Sequence, residues 1–483
     1  MFINKDAAWY RDCRLAKLDR ERLEDSILKH GYFAEANVLP PLYDLEKREG
    51  ITDTMTRDPI VVHVPKGKNE WRDFTFLHPQ NYGNAVKLIV DNLPVVVEYL
   101  NRNKSIVSYS SPVLFSNPAE RAGLQIAGWT EMQRHLVEAS GLNKLNTLVQ
   151  IDIQRCYHVL YTHTLEWALK GVSGGKLGDA LDIALRRGNR NRTHGLAVGP
   201  YVSDIAAEIV LSKVDELIEK ECAVIESLGF RFKDNYYFLC RNESDAEKII
   251  SNVASVLREY HLTLNDSKSK IMNFMDYMIS MWQVEHNFIG ETVGINEKKL
   301  TDAQLKLYLS KSIILSKAFN NEKNILEKTI SKIMECELVG YIDYKWLFYT
   351  LSNSLYLKGL SYPKLTNYMK KLAYENPLTL NREYRLFMKT EIESASDTKD
   401  LYRLSWLSYI LMDYDDEVIS PLIKSKLQTY RDHPFMARLL EFTSGEPMKE
   451  LWQSDKGPIV FQQKAYLGYA SLNDYLAISF AES

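Results

Sequence analysis

The sequence predicts an α+β protein in which a mixed N-terminal region is followed by an all-helical C-terminal region. Before about residue 290, short apolar runs typical of β-strands alternate with helical segments. After that point, nearly every segment places apolar residues at i, i+3 and i+4, which is the spacing of one helix face. We therefore predict two domains, residues 1–290 and residues 291–483, with no long Pro-, Gly- or Ser-rich linker between them.

The strands of the first domain are predicted from short runs of apolar and aromatic residues. These runs lie at 59–64, 73–78 and 147–153, on both sides of residue 234, and at 262–271. In the second domain, Thr301 and Gln304 have capping-box spacing and predict a helix start. Trp346 and Trp406 begin similar phrases, which we interpret as core anchors of a helical domain, with stacked helical pairs as the alternative.

Composition limits the class of protein without identifying it. The 483-residue chain carries a net charge of −3, which leaves nucleic-acid binding open because a local basic groove matters more than the total. Its five cysteines include no CxxC pair, so neither a disulfide framework nor a zinc site is predicted. The charged N-terminus does not resemble a secretory signal, and no apolar run is long enough to cross a membrane. We expect a cytoplasmic protein.

Two aspartates stand where predicted strands end or turn. Asp152 follows the apolar run at 147–151, so its carboxylate could face a ligand at a sheet edge. Asp234 lies between Lys233 and Asn235 and between two β-like runs, which predicts a tight hairpin. Taken singly, each aspartate could equally be a cap, a surface residue or a turn residue.

Two further segments could contact phosphates or bases. A cluster of four arginines precedes the turn at 195–200, and this turn leads into a predicted amphipathic helix from about Ser203. Arginines beside a glycine turn can bind phosphates, and Gly199 has no Cβ to keep a base pair away. Within residues 262–271, a predicted short strand is followed by Lys268 and Lys270. The four arginines are Arg186, Arg187, Arg190 and Arg192.

In this order, the segments resemble the palm motifs of reverse transcriptases. The first motif would be Asp152 with Tyr157, the second would span residues 195–203, the third would be residues 232–235, and the fourth would contribute Lys268. Upstream, residues 64–79 resemble the fingers motif that holds a triphosphate. The phrases at 108–112, 161–171 and 195–203 resemble the Abi-type, defence-associated reverse transcriptases of bacteria, which are related to retron enzymes.

The resemblance implies a right-hand fold with fingers, palm and a helical thumb or repeat domain. It implies DNA synthesis from dNTPs with two Mg²⁺ ions, or Mn²⁺ as the alternative, on a DNA or protein primer. The DNA product could be copied from an RNA template or small non-coding RNA, or made without a template. Antiviral defence by abortive infection, homo-oligomers and a second polymerase subunit are further implications, and no membrane is involved.

The same resemblance assigns roles to individual residues. Metal ligands would be Asp152, Asp234 and the Ile153 carbonyl, with Asn235 beside them. Tyr157 would lie under the sugar and exclude a 2′-hydroxyl, and Lys268 would protonate the leaving pyrophosphate. The remaining nucleotide-binding residues would be Lys66 and Arg72, which hold the triphosphate, and Gly199 and Pro200 in the turn.

Two departures from the family pattern leave an alternative open. Asn235 stands where most members have a second aspartate, and Ala197-Val198 replaces the common Pro-Gln. The first departure removes a negative charge but keeps an oxygen ligand. The alternative is a catalytically inactive polymerase fold that acts as a nucleic-acid-binding scaffold or partner subunit in a defence complex. A plain helical interaction protein would leave the ordered motifs unexplained.

Overall fold

The structure, a computed structural model, describes residues 20–32, 38–47, 55–67, 70–100, 106–110, 129–170, 175–279, 282–319, 323–355, 362–445 and 459–463. Within these ranges the protein is an α+β fold followed by a helical C-terminal region, as the sequence predicts. No helix in the described ranges has both the length and the apolar character needed to cross a membrane.

The described strands are named in chain order. They are β1 (Tyr43–Lys47), β2 (Ile60–Gly67), β3 (Glu70–Phe76), β4 (Val107–Ser108), β5 (Thr147–Asp152), β6 (Ser227–Phe232), β7 (Asn235–Cys240), β8 (Lys270–Asn273), β9 (Lys299–Leu300), β10 (Glu337–Leu338) and β11 (Ile459–Gln463).

The described helices are named in the same way. Those up to β8 are α1 (Arg20–Gly31), α2 (Pro79–Asp91), α3 (Leu93–Leu100), α4 (Trp129–Asn143), α5 (Cys156–Val159), α6 (Thr164–Leu169), α7 (Gly175–Gly188), α8 (Tyr201–Glu221) and α9 (Glu243–Glu259). Those after β8 are α10 (Phe274–Ile279), α11 (Trp282–Val293), α12 (Asp302–Ala318), α13 (Lys323–Met334), α14 (Tyr344–Ser354), α15 (Tyr362–Glu375), α16 (Pro377–Asp397), α17 (Leu401–Ile410), α18 (Ile419–Gln428) and α19 (Pro434–Ser444).

The central sheet has five strands in the order β4-β6-β7-β5-β8. All neighbours are antiparallel except β4 and β6, which are parallel. Both faces of the sheet are buried because β7 alternates between two cores: Tyr236 and Phe238 join the larger core, and Tyr237 and Leu239 the smaller one. This explains why the strand sequences read as nearly continuous apolar runs.

The hairpin predicted around Asp234 is confirmed. Strands β6 and β7 pair from Ser227↔Cys240 to Phe232↔Asn235, which leaves Lys233 and Asp234 as the two-residue turn. Lys233 has a φ of 52°, the left-handed conformation that tight hairpin turns require.

Two local predictions in the first domain were correct in position but wrong in extent or burial. The short strand predicted at the start of 262–271 is a single bridge from Leu264 to Ile153, and the regular strand β8 begins only at Lys270. A turn separates the two, since the amides of Lys268 and Ser269 donate to the Asn265 carbonyl. The predicted amphipathic helix from about Ser203 begins at Tyr201 and is buried on most sides, because α8 lies inside the larger core.

Helices of the C-terminal region pack mainly against their neighbours in sequence, such as α12 on α13 and α15 on α16. The capping box at Thr301 and Gln304 is confirmed at the start of α12. Trp406 is fully buried, as predicted for a core anchor, whereas Trp346 is only partly buried. The predicted boundary at residue 290 lies inside α11, and that boundary stays a prediction.

A second hairpin, β2–β3, lies between the C-terminal helices and the turn that precedes α8. The ring of Phe76 contacts Phe435 of α19, with 5.3 Å between centroids. The amide of Thr75 donates to the Val198 carbonyl at 2.8 Å. The hairpin is therefore connected on one side to the helical region and on the other side to the glycine turn.

A buried arginine joins α8 to the hairpin that carries Asp234. The guanidinium of Arg231 is fully buried. It donates to both carboxylate oxygens of Glu208, at 2.7 and 2.9 Å, and its Nη2 donates to Asp215 Oδ2 at 2.9 Å. It also donates to the Lys233 carbonyl at 3.1 Å. Burial lowers the pKa of Arg231, but Asp215 and Glu208 together raise it well above its usual range.

Neighbouring hydroxyls satisfy the remaining oxygens of this network. Ser108 donates to Glu208 at 2.5 Å, Ser110 donates to the same carboxylate at 3.3 Å, and Tyr236 donates to Asp215 at 2.8 Å. Ser110 in turn accepts the amide of Lys233 at 2.8 Å. The turn that presents Asp234 is thus held from both its amide and its carbonyl sides.

Removing the buried cation should be costly. We expect Arg231→Ala to lower the free energy of unfolding by about 3–5 kcal/mol, because two buried carboxylates lose their partner. Denaturant unfolding measures this loss. The control is Arg241→Ala, since Arg241 pairs with Glu226 at 2.6 Å beside the same sheet but both side chains are largely exposed. The control should unfold like the wild type, and equal losses in both variants would exclude burial as the cause.

Candidate active site

Two carboxylates meet at the edge of the central sheet. Asp152 ends β5 and is the Cα partner of Asn235, the first residue of β7. The amide of Ile153 donates to the carbonyl of Asp234 at 3.0 Å, so the backbone of one aspartate segment is fixed to the other. Asp152 is buried and Asp234 is half-buried. The structure therefore brings together the two aspartates that the sequence singles out.

The segment after α9 holds the Asp152 carboxylate in place. Asn265 donates from its side chain to Asp152 Oδ1 at 2.9 Å, and its backbone amide donates to the Asp152 carbonyl at 2.8 Å. Lys268 Nζ lies 3.3 Å from Asp152 Oδ2, and its side chain is 58% exposed. Lys268 was predicted at the site and lies there. The contact of Asn265 with Asp152 was not predicted, although Asn265 ends the L-x-L-N sequence at 262–265 that precedes Lys268 in the fourth motif.

Asp234 carries an unfavourable charge in this environment. Burial raises the pKa of its carboxyl, and the neighbouring Asp152 raises it further, against lowering by Lys233 and Lys268. Asn235 donates to Asp234 Oδ1 at 3.1 Å. The amide at position 235 therefore stabilises the ionised form of Asp234, where a second aspartate would add repulsion.

The donor set fits a divalent ion of the magnesium type. Mg²⁺ prefers hard oxygen ligands and is commonly bound by one or two carboxylates together with waters and substrate phosphates. Asp152 and Asp234 supply two such carboxylates. In the described part of the chain, no group of three or more His, Cys, Asp or Glu side chains is arranged to hold a metal. The carbonyl of Ile153 remains the predicted third ligand.

Tyr157 lies five residues after Asp152 in the sequence, in α5. It is half-buried, and its hydroxyl donates to Asp204 Oδ1 at 2.6 Å. Burial raises the pKa of the phenol well above its usual range, and Asp204 and then Asp234 add to the effect. The hydrogen bond fixes the ring against the first turn of α8, which is an orientation that a steric role beside a sugar would need.

The glycine turn is shaped by its neighbours. Gly199 has a φ of 115°, and a Cβ there would come within 3.1 Å of the Phe74 ring. The missing Cβ lets the ring of Phe74 in β3 pack directly against the Gly199 backbone, and contact of this turn with a base pair stays a prediction. Pro200 is the N-cap residue of α8 and contributes a fixed φ of −69°.

The β2–β3 hairpin, which carries the predicted fingers motif and is called the fingers hairpin below, places Arg72 beside this turn. The exposed Arg72 guanidinium carbon is 5.6 Å from the centroid of Phe74, which in turn contacts the Gly199 backbone. Burial lowers the pKa of His158 and the nearby Arg155 lowers it further, while Asp73 raises it against a smaller lowering by Arg72. The side chain of Lys66 in β2 lies outside the described part of the structure.

Comparison with known proteins agrees with this geometry. Residues 68–293 match the family model described as reverse transcriptase (RNA-dependent DNA polymerase). No curated protein is significantly similar to the chain. The region has the reverse-transcriptase fold, with a mixed sheet and a helical region after it. A reverse transcriptase domain implies nucleotidyltransferase activity in general, and polymerases of this fold use divalent metals.

Solved structures similar to the chain include yeast telomerases, at low overall similarity. Apo telomerase from Candida tropicalis truncated from its C-terminal domain is 16% identical, with a TM-score of 0.33 over 47% of this chain. The chain covers 52% of that structure, about half its length. Telomerase from Candida albicans in complex with a fragment of telomeric RNA is 11% identical, with a TM-score of 0.31 over 79% of this chain and 66% of the other.

The raised pKa of Asp234 makes a prediction about stability. Folding favours the protonated carboxyl, so the wild type should lose stability as pH rises through the range between the unfolded and folded pKa values of Asp234. Asp234→Asn removes this loss. In EDTA we expect Asp234→Asn to be more stable than the wild type by about 0.5–2 kcal/mol at neutral pH. At acid pH, below both the unfolded and the folded pKa of Asp234, the two proteins should be equally stable.

Thermal unfolding across pH measures this difference. Asp266→Asn is the matched control, because Asp266 is exposed in the turn beside Asn265 and should behave like the wild type. Mg²⁺ should raise the melting temperature of the wild type more than that of Asp234→Asn. An advantage for Asp234→Asn that is the same at all pH values would contradict the electrostatic explanation.

Proposed function

We propose that this protein is a metal-dependent DNA polymerase that adds dNTPs to a DNA or protein primer, with or without an RNA template. The observation that carries the proposal is the meeting of Asp152, at the end of β5, with Asp234, in the turn before β7, in a reverse-transcriptase fold. Two Mg²⁺ ions, or Mn²⁺, would supply charge stabilisation for the attacking and leaving oxygens when bound. Asp152, Asp234 and the Ile153 carbonyl are the proposed ligands.

The protein residues around the metal ligands would bind and orient the nucleotide. Arg72, with Lys66, would contact the triphosphate, and the turn at Gly199 and Pro200 would face the base pair. Lys268 is within reach of the Asp152 carboxylate and has an exposed amine, so it could donate a proton to the leaving pyrophosphate. Asn235 would keep Asp234 ionised by its hydrogen bond.

The biological role is proposed from the Abi-type phrases in the sequence. It would be antiviral defence by abortive infection in the bacterial cytoplasm, with DNA as the product. The protein would assemble as a homo-oligomer or with a second polymerase subunit, and an RNA template or small non-coding RNA could be a further partner. The domain division at residue 290 belongs to the same proposal.

A second candidate function is favoured by one observation. Asn235 lowers the negative charge at the site, which would suit a catalytically inactive polymerase fold that binds nucleic acid as a scaffold. Incubating the purified protein with Mg²⁺ and labelled dNTPs, with and without an added template, separates the two candidates. Incorporation supports the polymerase, and nucleic-acid binding without incorporation in either metal supports the scaffold.

The carboxylate of Asp152 should be essential for incorporation. We expect Asp152→Asn to lower the rate of incorporation by about a thousandfold or more, because charge stabilisation by the bound metal lowers the activation barrier by several kcal/mol. Labelled-dNTP incorporation measures the rate, and circular dichroism checks the fold. Asp266→Asn, which changes an exposed carboxylate nearby, should keep the wild-type rate. A rate for Asp152→Asn near that of the wild type would refute the assignment of the metal site.

Tyr157 should determine the choice of sugar. We expect Tyr157→Ala to lower the preference for dNTPs over rNTPs by about 5- to 150-fold, which corresponds to about 1–3 kcal/mol for a small steric difference in a pocket. Tyr157→Phe keeps the ring and loses only the hydrogen bond to Asp204, so it should keep the preference. The ratio of the two kcat/KM values is the measurement. An unchanged ratio in Tyr157→Ala would place the ring away from the sugar.

A further inference from the structure

A group of five aromatic rings lies on the surface beside the segment that holds Asp152. Tyr161 is central, and its ring centroid lies 4.8 Å from that of His163, 4.9 Å from His194, 5.8 Å from His261 and 5.9 Å from Trp167. The rings of Trp167 and His261 also contact each other at 6.2 Å. We call these five residues the aromatic platform.

The platform is open to solvent although its rings contact one another. His194 and His261 are exposed, Trp167 is 40% exposed, and Tyr161 and His163 are partly exposed. Large aromatic side chains usually bury their area against the core, so a connected set that remains accessible is suited to binding a flat ligand. The polar edges of the histidines keep such a surface hydrated in the free protein.

The backbone and one buried carboxylate make the platform rigid. Tyr161 and His194 form a β-bridge, and the Thr162 amide donates to the Thr193 carbonyl at 2.8 Å. His163 Nδ1 lies 2.7 Å from the buried Asp182 carboxylate, which also accepts from Arg186 at 3.0 Å. The rings therefore present a preformed surface, which reduces the entropy lost on binding.

Basic side chains surround the platform. Arg186 lies beside His163 through their shared carboxylate. Arg192 is exposed in the strand-like segment opposite His163, and Lys170 is exposed at the end of α6. Glu166 is the exposed acid on that helix. Aromatic rings with arginines and lysines around them are the combination that binds single-stranded nucleic acids, by stacking on bases and contact with phosphates.

The platform is close to the proposed active site along the chain. His261 precedes Asn265 by four residues. Two contacts fix the residues between them to the segment after Asp152: Leu264 forms a β-bridge with Ile153, and the Thr263 carbonyl accepts the Gln154 amide at 2.9 Å. Four extended residues span at most about 14 Å. A stacked nucleic-acid strand advances about 3.4 Å per nucleotide, so this distance corresponds to roughly four nucleotides.

We propose that the aromatic platform binds unpaired bases of a single-stranded nucleic acid by stacking, with Trp167 as its main contact. The choice of nucleic acid as the ligand rests on the proposed polymerase function, and the platform is separate from the residues assigned to metal and nucleotide. It would hold the strand a few nucleotides from the aspartates, as it enters or leaves the site.

Fluorescence polarisation with a short labelled oligo(dT) in EDTA tests the platform without any catalytic step. Each base stacked on an aromatic side chain contributes about 1–3 kcal/mol, so Trp167→Ala should weaken binding by about 5- to 150-fold. An abasic oligonucleotide with the same number of phosphates should bind wild type and Trp167→Ala equally. Trp167→Phe keeps a stacking surface and should retain most of the affinity.

Two further variants keep the test decisive. His194→Ala removes an exposed ring of the platform and should also weaken oligo(dT) binding, even if Trp167→Ala proves unstable. Tyr349→Ala removes a half-exposed ring from α14, far along the chain, and should bind like the wild type. Wild-type affinity in both Trp167→Ala and His194→Ala would overturn the proposal, as would an equal loss of affinity for the abasic strand.

The experiments distinguish a failure of the platform proposal from a failure of the polymerase proposal. Asp152→Asn should bind oligo(dT) in EDTA as the wild type does, because the platform lies outside the metal site. A wild type that incorporates no dNTP but shows the stacking-dependent binding would refute the polymerase and keep the platform. A wild type that incorporates dNTPs while Trp167→Ala binds oligo(dT) normally would refute the platform alone.

Discussion

The buried guanidinium of Arg231 is the interaction on which the geometry of the site depends. It connects two carboxylates of α8 to the carbonyl of Lys233, the residue before Asp234. Burying a cation with two anions is costly, and it is stable here because neighbouring hydroxyls donate to the same carboxylates. Apolar side chains could fill the same volume, but they lack directed hydrogen bonds and would not fix the orientation of the turn.

The same helix connects this network to the other parts of the site. α8 begins at the glycine turn, and its first turn carries Asp204, which accepts the hydroxyl of Tyr157. Phe74 fills the space beside Gly199 and places the fingers hairpin, with Arg72, against that turn. Because α8 is buried along most of its length, a displacement at one end would be transmitted to the other through close packing.

Repulsion between Asp152 and Asp234 is the second constraint. It is offset in the free protein by donors that face each carboxylate: Asn265 and Lys268 on Asp152, and Asn235 on Asp234. Asn235 thus has a physical function at a position where a second aspartate would raise the repulsion. Lys268 and a divalent ion would both be attracted to the Asp152 carboxylate, so ion binding should be coupled to movement of this exposed side chain.

The sequence by itself determined the features that depend on local pattern: the strand and helix periods, the hairpin at Asp234, the capping box at Thr301, and the order of motifs that brings Asp152 and Asp234 together. Tertiary structure alone decided what depends on contacts between distant segments. These are the burial of α8, the reduction of the short strand predicted near residue 262 to one bridge, the contact of Phe74 with Gly199, and the network of Arg231. Burial and side-chain partners come from packing of segments far apart in sequence, and no local pattern encodes them.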